Sequence, residues 1–251
     1  MSPVALVTGG AKRIGRAIAL RLAQAGYGVA IHCQHSRAEA TDVEAAITGS
    51  GGRAGIFEAD LADADALTRL VSDAAAALGP LTLLVNNASV FEADEVQNVA
   101  ADLWDRHFDI NLRAAVFLTR DFARQVPESG EGAVVNIIDQ RVWKPTPQFF
   151  SYTLSKAALF TATRTMAQAL APRIRVNAVG PGPTLTSPRQ SQDDFARQAS
   201  ALPLGHGPTP EDIAEAVAFL AKAQSVTGQM LAVDGGQHLA WQTPDIVGVT
   251  E

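Results

Sequence analysis

A single cysteine, Cys33, is all the disulfide-forming capacity of this chain, so no intrachain disulfide can form, as suits a reducing compartment. Cys33 has no nucleophile context around it and reads as structural. Positive charge is also scarce. Twenty Lys and Arg against 26 Asp and Glu leave a net charge of −6, which argues against a nucleic-acid surface but leaves room for a local basic pocket. Long apolar runs are missing: none approaches the ~18 residues of a membrane span. The opening Met1-Ser2-Pro3-Val4-Ala5-Leu6-Val7 has no basic region ahead of a long apolar stretch. Neither a signal peptide nor a membrane partner is expected, and the expected location is cytoplasmic. No repeat or low-complexity linker is found, and no metal site is expected.

What remains is an ordinary globular composition, 47% hydrophobic and 18% charged over 251 residues, enough for one substantial core. A single domain spanning 1–251 is expected. Short apolar runs at 4–7, 28–32, 54–58, 81–85, 133–138, 174–178 and 230–233 read as strands. Helix-length segments separate them at 14–25, 37–47, 64–78 (after the possible cap Asp63), 103–126, 152–171 and 211–221 (after Pro210). Strands alternating with helices imply an α/β fold, a doubly wound parallel sheet of about seven strands covered on both faces. Segment 180–208, rich in Pro, Ser and Gln, follows the C-terminal end of a strand, where ligands bind in such sheets. It reads as a substrate lid, though 183–207 carries no legible motif. Residues 242–251 read as a tail or an intersubunit contact.

The first strand feeds Thr8-Gly9-Gly10-Ala11-Lys12-Arg13-Ile14-Gly15. Gly9 and Gly15 suit a turn that lets a phosphate approach closely, and the helix that follows offers free N–H groups to a dinucleotide pyrophosphate. Arg13 and Ile14 belong to the same contact set. After the second strand the chain reads His35-Ser36-Arg37, with no acid before Glu39 to hold ribose hydroxyls. His35, Ser36, Arg37 and Arg13 can instead surround a 2′-phosphate, so NADP(H) is expected over NAD(H). Asp60 and Leu61, then Asn87 and Ala88, end the third and fourth strand regions and can reach adenine and ribose. Asp60 could equally cap the next helix.

Tyr152 and Lys156 stand four apart and share a helix face. A phenol with a reference pKa near ~10 is a poor acid at neutral pH. A neighbouring ammonium would lower that value and make a proton donor that can reload, as carbonyl or imine reduction requires.

With these motifs in this order the chain resembles a short-chain dehydrogenase/reductase over nearly its whole length. The resemblance rests on Thr8–Gly15, Asp60, Asn86-Asn87-Ala88, Asn111, Tyr152 with Lys156, Asn177, Pro181-Gly182 and Asp234-Gly235-Gly236. It implies that the backbone of Asn111 helps hold a water relay to Lys156 and that Lys156 binds the nicotinamide ribose. It implies cofactor contacts at Pro181 and Gly182, and a homotetramer paired through 103–126 and 152–171. The family usually has glycine where Arg13 stands, and serine where Asp139 stands, thirteen residues before Tyr152. An ionised Asp would repel a developing oxyanion. It suits a substrate with N–H donors, or serves as an acid if its pKa is raised.

The same departure occurs in pteridine reductases and the related dihydromonapterin/dihydrofolate reductases. Those enzymes also resemble this chain at Lys12-Arg13, at the histidine in the second strand, and at Asn86-Asn87-Ala88-Ser89 with Phe91. The resemblance implies substrate roles for Arg13 (with cofactor phosphate), Ser89 (the amino edge of a pterin) and Phe91 (stacking the ring). Asp139 and Tyr152 complete the substrate set. Phe91 and Ser89 could instead be packing residues, and Trp143 either lines the pocket or packs. The reading is therefore an NADPH-dependent reductase of a small pterin-like molecule. The alternatives are a short-chain reductase of another carbonyl or imine and, more distantly, a non-catalytic dinucleotide-binding sensor, for which Asp139 is the only argument.

Overall fold

In a computed structural model, which describes residues 2–186, 190–243 and 245–248, seven strands form one sheet. They are β1 (Val4–Val7), β2 (Gly28–Cys33), β3 (Ala54–Glu58), β4 (Leu81–Asn86), β5 (Gly132–Ile137), β6 (Ile174–Pro181) and β7 (Met230–Val233). All neighbours pair in parallel, in the order β3-β2-β1-β4-β5-β6-β7. After β3, at one edge, the chain crosses back to lay β4 beside β1. The direction of winding reverses there, and a crevice opens at the strands' C-terminal ends.

The strands read as continuous apolar runs because both faces are covered. Ala5 and Val7 face a core built with α1 (Arg13–Gln24), α2 (Arg37–Gly49) and α8 (Pro210–Lys222), through Ile18, Leu22, Val43, Ile47, Ile213 and Val217. Val4 and Leu6 face the opposite core, with α3 (Ala64–Leu78), α5 (Ala114–Gln125) and α6 (Phe150–Leu170), through Leu67, Leu70, Leu118, Phe122 and Ala167. Helix starts follow local chemistry. Asp63 accepts from the N–H groups of Asp65 and Ala66 at the head of α3. Thr209 and Asp212 form a capping box on α8, with Pro210 in its first turn.

Two elements differ from the sequence reading. The single helix expected over 103–126 is α4 (Ala101–Phe108), a π-helical turn (Asp109–Arg113) and α5. The π turn holds Asn111, whose buried side chain is pulled into contacts outside the helix. Within the segment expected to be a lid lies α7 (Gln192–Ser200), capped by Ser191, which accepts from Asp194 N–H. Helix α7 has no buried residue, so no apolar stripe marks it in the sequence. Residues 187–189 of the expected lid, and 244 and 249–251 of the expected tail, lie outside the described residues.

Candidate active site

The glycine turn links β1 to α1 and is built without spare volume. A Cβ on Gly15 would sit 2.0 Å from the Gly9 carbonyl oxygen and 2.6 Å from Asn87 Nδ2. Gly9 has φ +61°, which side chains rarely tolerate. Arg13 has φ 52°, so the arginine adopts the conformation that the family's usual glycine takes at no steric cost. The turn is held from three sides. Thr8 Oγ1 accepts from the N–H groups of Asn87 (2.9 Å) and Ala88 (3.0 Å), and Asn87 Nδ2 donates to the carbonyls of Thr8 (2.8 Å) and Gly9 (3.2 Å). His32 Nδ1 accepts from Gly9 N–H at 3.0 Å, while its Nε2 lies 3.1 Å from the Ala59 carbonyl. Those partners select the Nε2–H tautomer, and burial lowers the His32 pKa to about 4, so the ring is neutral. No side chain caps the start of α1 and no acid lies in its first turn. This end of the helix has the free N–H groups and the sign of potential that a pyrophosphate needs.

The cations around the turn have partners within the chain. Arg13 donates to the Leu185 carbonyl (3.3 Å) and the Thr186 carbonyl (3.0 Å), tying the turn to the segment that follows β6. Arg37 lies 3.6 Å from Glu58, and His35 is exposed. Lys12 pairs with Glu39 at 2.6 Å. Lys12, Arg13, Arg16, Glu39 and Asp42 line a cleft of about 450 Å³. Glu39, the first acid after β2, is thereby neutralised by Lys12. Asp60 accepts from Ala62 N–H at 2.9 Å, and the helix cap is Asp63, not Asp60. Leu61 is buried. Pro181 ends β6, and a Cβ on Gly182 would meet Asp234 Cα at 2.7 Å. This contact explains the glycine and joins the segment after β6 to the Asp234-Gly235-Gly236 turn.

Across the crevice, Tyr152 and Lys156 project from the first turns of α6, both buried. The Tyr152 hydroxyl donates to Asp139 Oδ2 at 2.9 Å, and Asp139 Oδ1 accepts from Arg141 N–H at 2.8 Å. Lys156 Nζ donates to the Ile137 carbonyl at 2.9 Å and lies 5.8 Å from the Tyr152 ring centroid. The expected lowering of the tyrosine pKa by lysine is reversed here. Burial first, then the Asp139 charge, hold the Tyr152 phenol well above its ordinary value. Burial brings Lys156 down to about 8, opposed by Asp139. One edge of Asp139 reaches the surface, yet protein surrounds the carboxyl closely, and burial raises its pKa against the Arg141 N–H and charge. The phenol therefore keeps its proton at neutral pH, and the carboxylate it donates to has a proton affinity raised above the ordinary carboxyl range.

Asn111 ties the chain after β4 to α6. Its Nδ2 donates to the Val90 carbonyl (3.0 Å) and Ser155 Oγ (3.1 Å), and its Oδ1 accepts from Val90 N–H (2.8 Å) and the Ser89 hydroxyl (3.1 Å). The Ser89 proton is thus shared within the chain between Asn111 Oδ1 and the Val90 carbonyl (3.3 Å), while the oxygen keeps lone pairs for a donor. Asn111, Lys156, Thr8 and Asn86 border a cavity of about 10 Å³, roughly one water in size. Asn86 Oδ1 is buried without a partner among the described residues.

Beyond Val90, the Phe91 ring stacks on Phe149 (4.2 Å, 7°) and meets Tyr152 edge-on (4.7 Å). Trp143 lies against Phe160 and His238 on the other side of the loop. Four residues absent from the sequence reading complete the surroundings: Asp94, His107, Arg141 and Phe149. The Ser151 hydroxyl donates to buried Asp94, and His107 Nδ1 lies 2.6 Å from the same oxygen. His107 Nε2 accepts from Glu92 N–H at 3.3 Å, and burial lowers its pKa. Phe149 enters α6 at φ 56°, where its stack on Phe91 and the bond from Phe150 N–H to the Asp94 carbonyl hold it. No periodic pattern marks any of these four.

Comparison with known proteins identifies the family. A family model described as enoyl-(acyl carrier protein) reductase, of the short-chain alcohol dehydrogenase type, matches residues 9–238. The chain is a short-chain dehydrogenase/reductase. It is similar to the FolM alternative dihydrofolate reductase 1 of Brucella canis, crystallised with NADP, with 54% identity, a TM-score of 0.94, and 98% of this chain and 97% of that one covered. A blue fluorescent protein from a metagenomic library, in complex with NADPH, is 35% identical, with a TM-score of 0.86 over 93% of this chain and 97% of that one. The 3-oxoacyl-(acyl-carrier-protein) reductase of Staphylococcus aureus is 32% identical over 95% of this chain and 99% of its own length. The pteridine/dihydrofolate reductase resemblance read from the sequence is matched by the FolM structure, and the protein is an oxidoreductase of the short-chain dehydrogenase/reductase family.

Proposed function

We propose that this short-chain reductase reduces the C=N bond of a dihydropterin or dihydrofolate with NADPH. The observation that carries the reading is the Tyr152–Asp139 hydrogen bond at 2.9 Å, where a carboxyl stands in the family's serine position. A developing oxyanion would be repelled by Asp139, whereas a ring with N–H donors is held by it. The cofactor is NADP(H), supported by the NADP- and NADPH-bound relatives, the uncapped start of α1 and the neutralised Glu39. Gly9, Arg13, Ile14 and Gly15 would hold its pyrophosphate, Arg13, Ser36 and Arg37 its 2′-phosphate, and Asn87, Pro181 and Lys156 the remainder. When bound it supplies the hydride.

The chain's own residues then manage the proton. Tyr152 gives its proton to the substrate nitrogen. Asp139, as the carboxylate, accepts from the amino edge of the ring and relays the next proton from solvent to the phenol. Lys156 holds a positive charge near the phenol as it ionises, and the one-water cavity beside Asn111 supports a relay toward solvent. Phe91 provides the platform for a flat ring, and Ser89 accepts from its amino group.

Turnover of 7,8-dihydropterins and dihydrofolate, followed by loss of NADPH absorbance, with simple ketones inactive, is the expected result. Activity confined to ketones would overturn the substrate assignment. The Staphylococcus aureus relative favours that second reading, in which Asp139 is tolerated and Asp139→Ser raises activity. At least a tenfold preference for NADPH over NADH in kcat/KM, about 1.4 kcal/mol, is expected. Segment 180–208 is read as the lid, since Arg13 already ties it to the cofactor turn. A homotetramer through α5 and α6, which leave Phe117 and Leu154 exposed, is tested by light scattering.

A further inference from the structure

Arg141 has a place in the site that the proton chemistry does not use. Its backbone N–H bonds to Asp139, which fixes the residue at the rim of the reaction centre. Its guanidinium lies 5.0 Å from the Phe149 ring centroid and 5.9 Å from that of Phe91, and Nη1 donates to Thr146 Oγ1 at 2.7 Å. Elsewhere on the surface, Arg21, Arg37, Arg106 and Arg113 pair with carboxylates. Arg141 has no carboxylate within ion-pair distance among the described residues. A guanidinium has five N–H donors, and Thr146 takes one of them. A half-buried cation with donors to spare therefore stands one aromatic ring beyond the platform formed by Phe91.

The order of these groups reads as a template. Asp139 and Tyr152 face the reacting head, Phe91 faces a flat ring, Phe149 lies next to Phe91, and Arg141 lies over Phe149. We infer that Arg141 binds a carboxylate on the distal end of the substrate. It thereby selects pterins that carry an acidic aryl tail over pterins with a neutral side chain. The inference rests on the pterin reading above and adds to it the residue that ranks the substrates. Planar guanidinium groups suit carboxylates because two parallel N–H donors meet two oxygens. The adjoining rings exclude water from one side of that contact.

A different role for the same charge is electrostatic support of Asp139, whose pKa Arg141 lowers. The two roles separate by substrate. Loss of electrostatic support would depress turnover of every pterin alike, whereas loss of a tail contact splits acidic from neutral substrates. The experiment compares kcat/KM for dihydrofolate and for 7,8-dihydrobiopterin in the wild type, Arg141→Met and Arg141→Lys. The ratio of the two is expected to fall about tenfold in Arg141→Met, the size of one charge-assisted contact, mainly through the KM for dihydrofolate. Arg141→Lys is expected to fall between. In the wild type, salt raised from about 50 to about 500 mM should raise KM for dihydrofolate alone. p-Aminobenzoylglutamate, which has the tail without the pterin, should inhibit the wild type more strongly than Arg141→Met.

An unchanged ratio in Arg141→Met would overturn the inference and leave the pterin reading standing. If Arg141→Met does not fold, a wild-type dihydrofolate KM indifferent to salt, with an unchanged ratio in Arg141→Lys, overturns it equally. Absence of turnover with both pterins overturns the functional reading, and this inference with it.

Discussion

Asp139→Asn is the substitution that tests the reaction centre most directly. Asparagine is nearly the same size and keeps an oxygen for the Arg141 N–H that now bonds Asp139 Oδ1 at 2.8 Å. What it removes is the negative charge beside the Tyr152 hydroxyl, 2.9 Å away. If Asp139 accepts an N–H from the substrate, the loss is that of one hydrogen bond to a charged acceptor, about 1.5–3 kcal/mol. That corresponds to a fall of roughly 10- to 150-fold in kcat/KM for a dihydropterin. The pH profile carries a second signature. In the wild type, activity falls on the acid side as Asp139 takes up a proton, at a pH above the ordinary carboxyl range because burial raises its pKa. Asp139→Asn has no such group, so this limb disappears. On the alkaline side the limiting protons are those of Lys156, which titrates at about 8, and Tyr152, which titrates much higher. The Asp139 charge raises both, so its removal shifts the alkaline limb to lower pH. The assay is NADPH oxidation across the pH range at subsaturating dihydropterin. A variant that keeps kcat/KM within about threefold, less than the weakest such hydrogen bond would cost, with both limbs in place, refutes a role for Asp139 in contacting the substrate or setting the phenol.

Arg13→Gly is expected to act in opposite directions on two observables. Relief of the positive φ at Arg13 should raise stability by about 0.5–1 kcal/mol in denaturant unfolding, while loss of the guanidinium weakens NADPH binding by fluorescence titration; weaker stability with unchanged binding would contradict both. The folded pKa of His32, about 4, lies below its unfolded value of 6.5, so the unfolded chain binds the extra proton between those limits. Its contribution is complete above pH 6.5 and declines by up to about 3 kcal/mol as pH falls toward 4; His32→Gln should flatten that part of the pH–Tm curve. Asp94→Ala leaves the Ser151 hydroxyl and N–H without their buried acceptor. The expected cost is about 2–3 kcal/mol in thermal unfolding, with a raised KM for dihydropterin as the Phe91 segment loosens; an unchanged KM would detach this network from the substrate platform.

The sheet was legible because each strand is buried on both faces, so runs such as Val4–Val7 are apolar without interruption. Helix α3 and helix α8 announce themselves through Asp63 and Pro210. The pairing of Tyr152 with Lys156 is a matter of helix geometry, and spacing suffices to read it. The break at Asp109–Arg113 is a different case. The pattern from 103 to 126 remains helical throughout, and what widens the turn is the reach of the Asn111 side chain to Val90 and Ser155, contacts made only in the folded chain. Helix α7 was missed for want of an apolar stripe, although the Ser191-to-Asp194 spacing that caps it is present in the sequence.

The reversed direction of the Tyr152 pKa follows from the same limit. Spacing along a helix reveals which side chains share a face, and it put the ammonium nearest the phenol. The group that bonds the phenol is Asp139, which arrives from the end of β5 through a loop. A loop brings charges together at distances that periodicity does not encode. At 2.9 Å the Asp139 oxygen outweighs an ammonium that donates to the Ile137 carbonyl and lies 5.8 Å from the ring centroid. The residue that departs from the family's serine is thus also the one that sets the state of the family's tyrosine. A substitution at 139 therefore changes substrate preference and proton affinity together, and the two effects separate only when pH profiles are measured on more than one substrate.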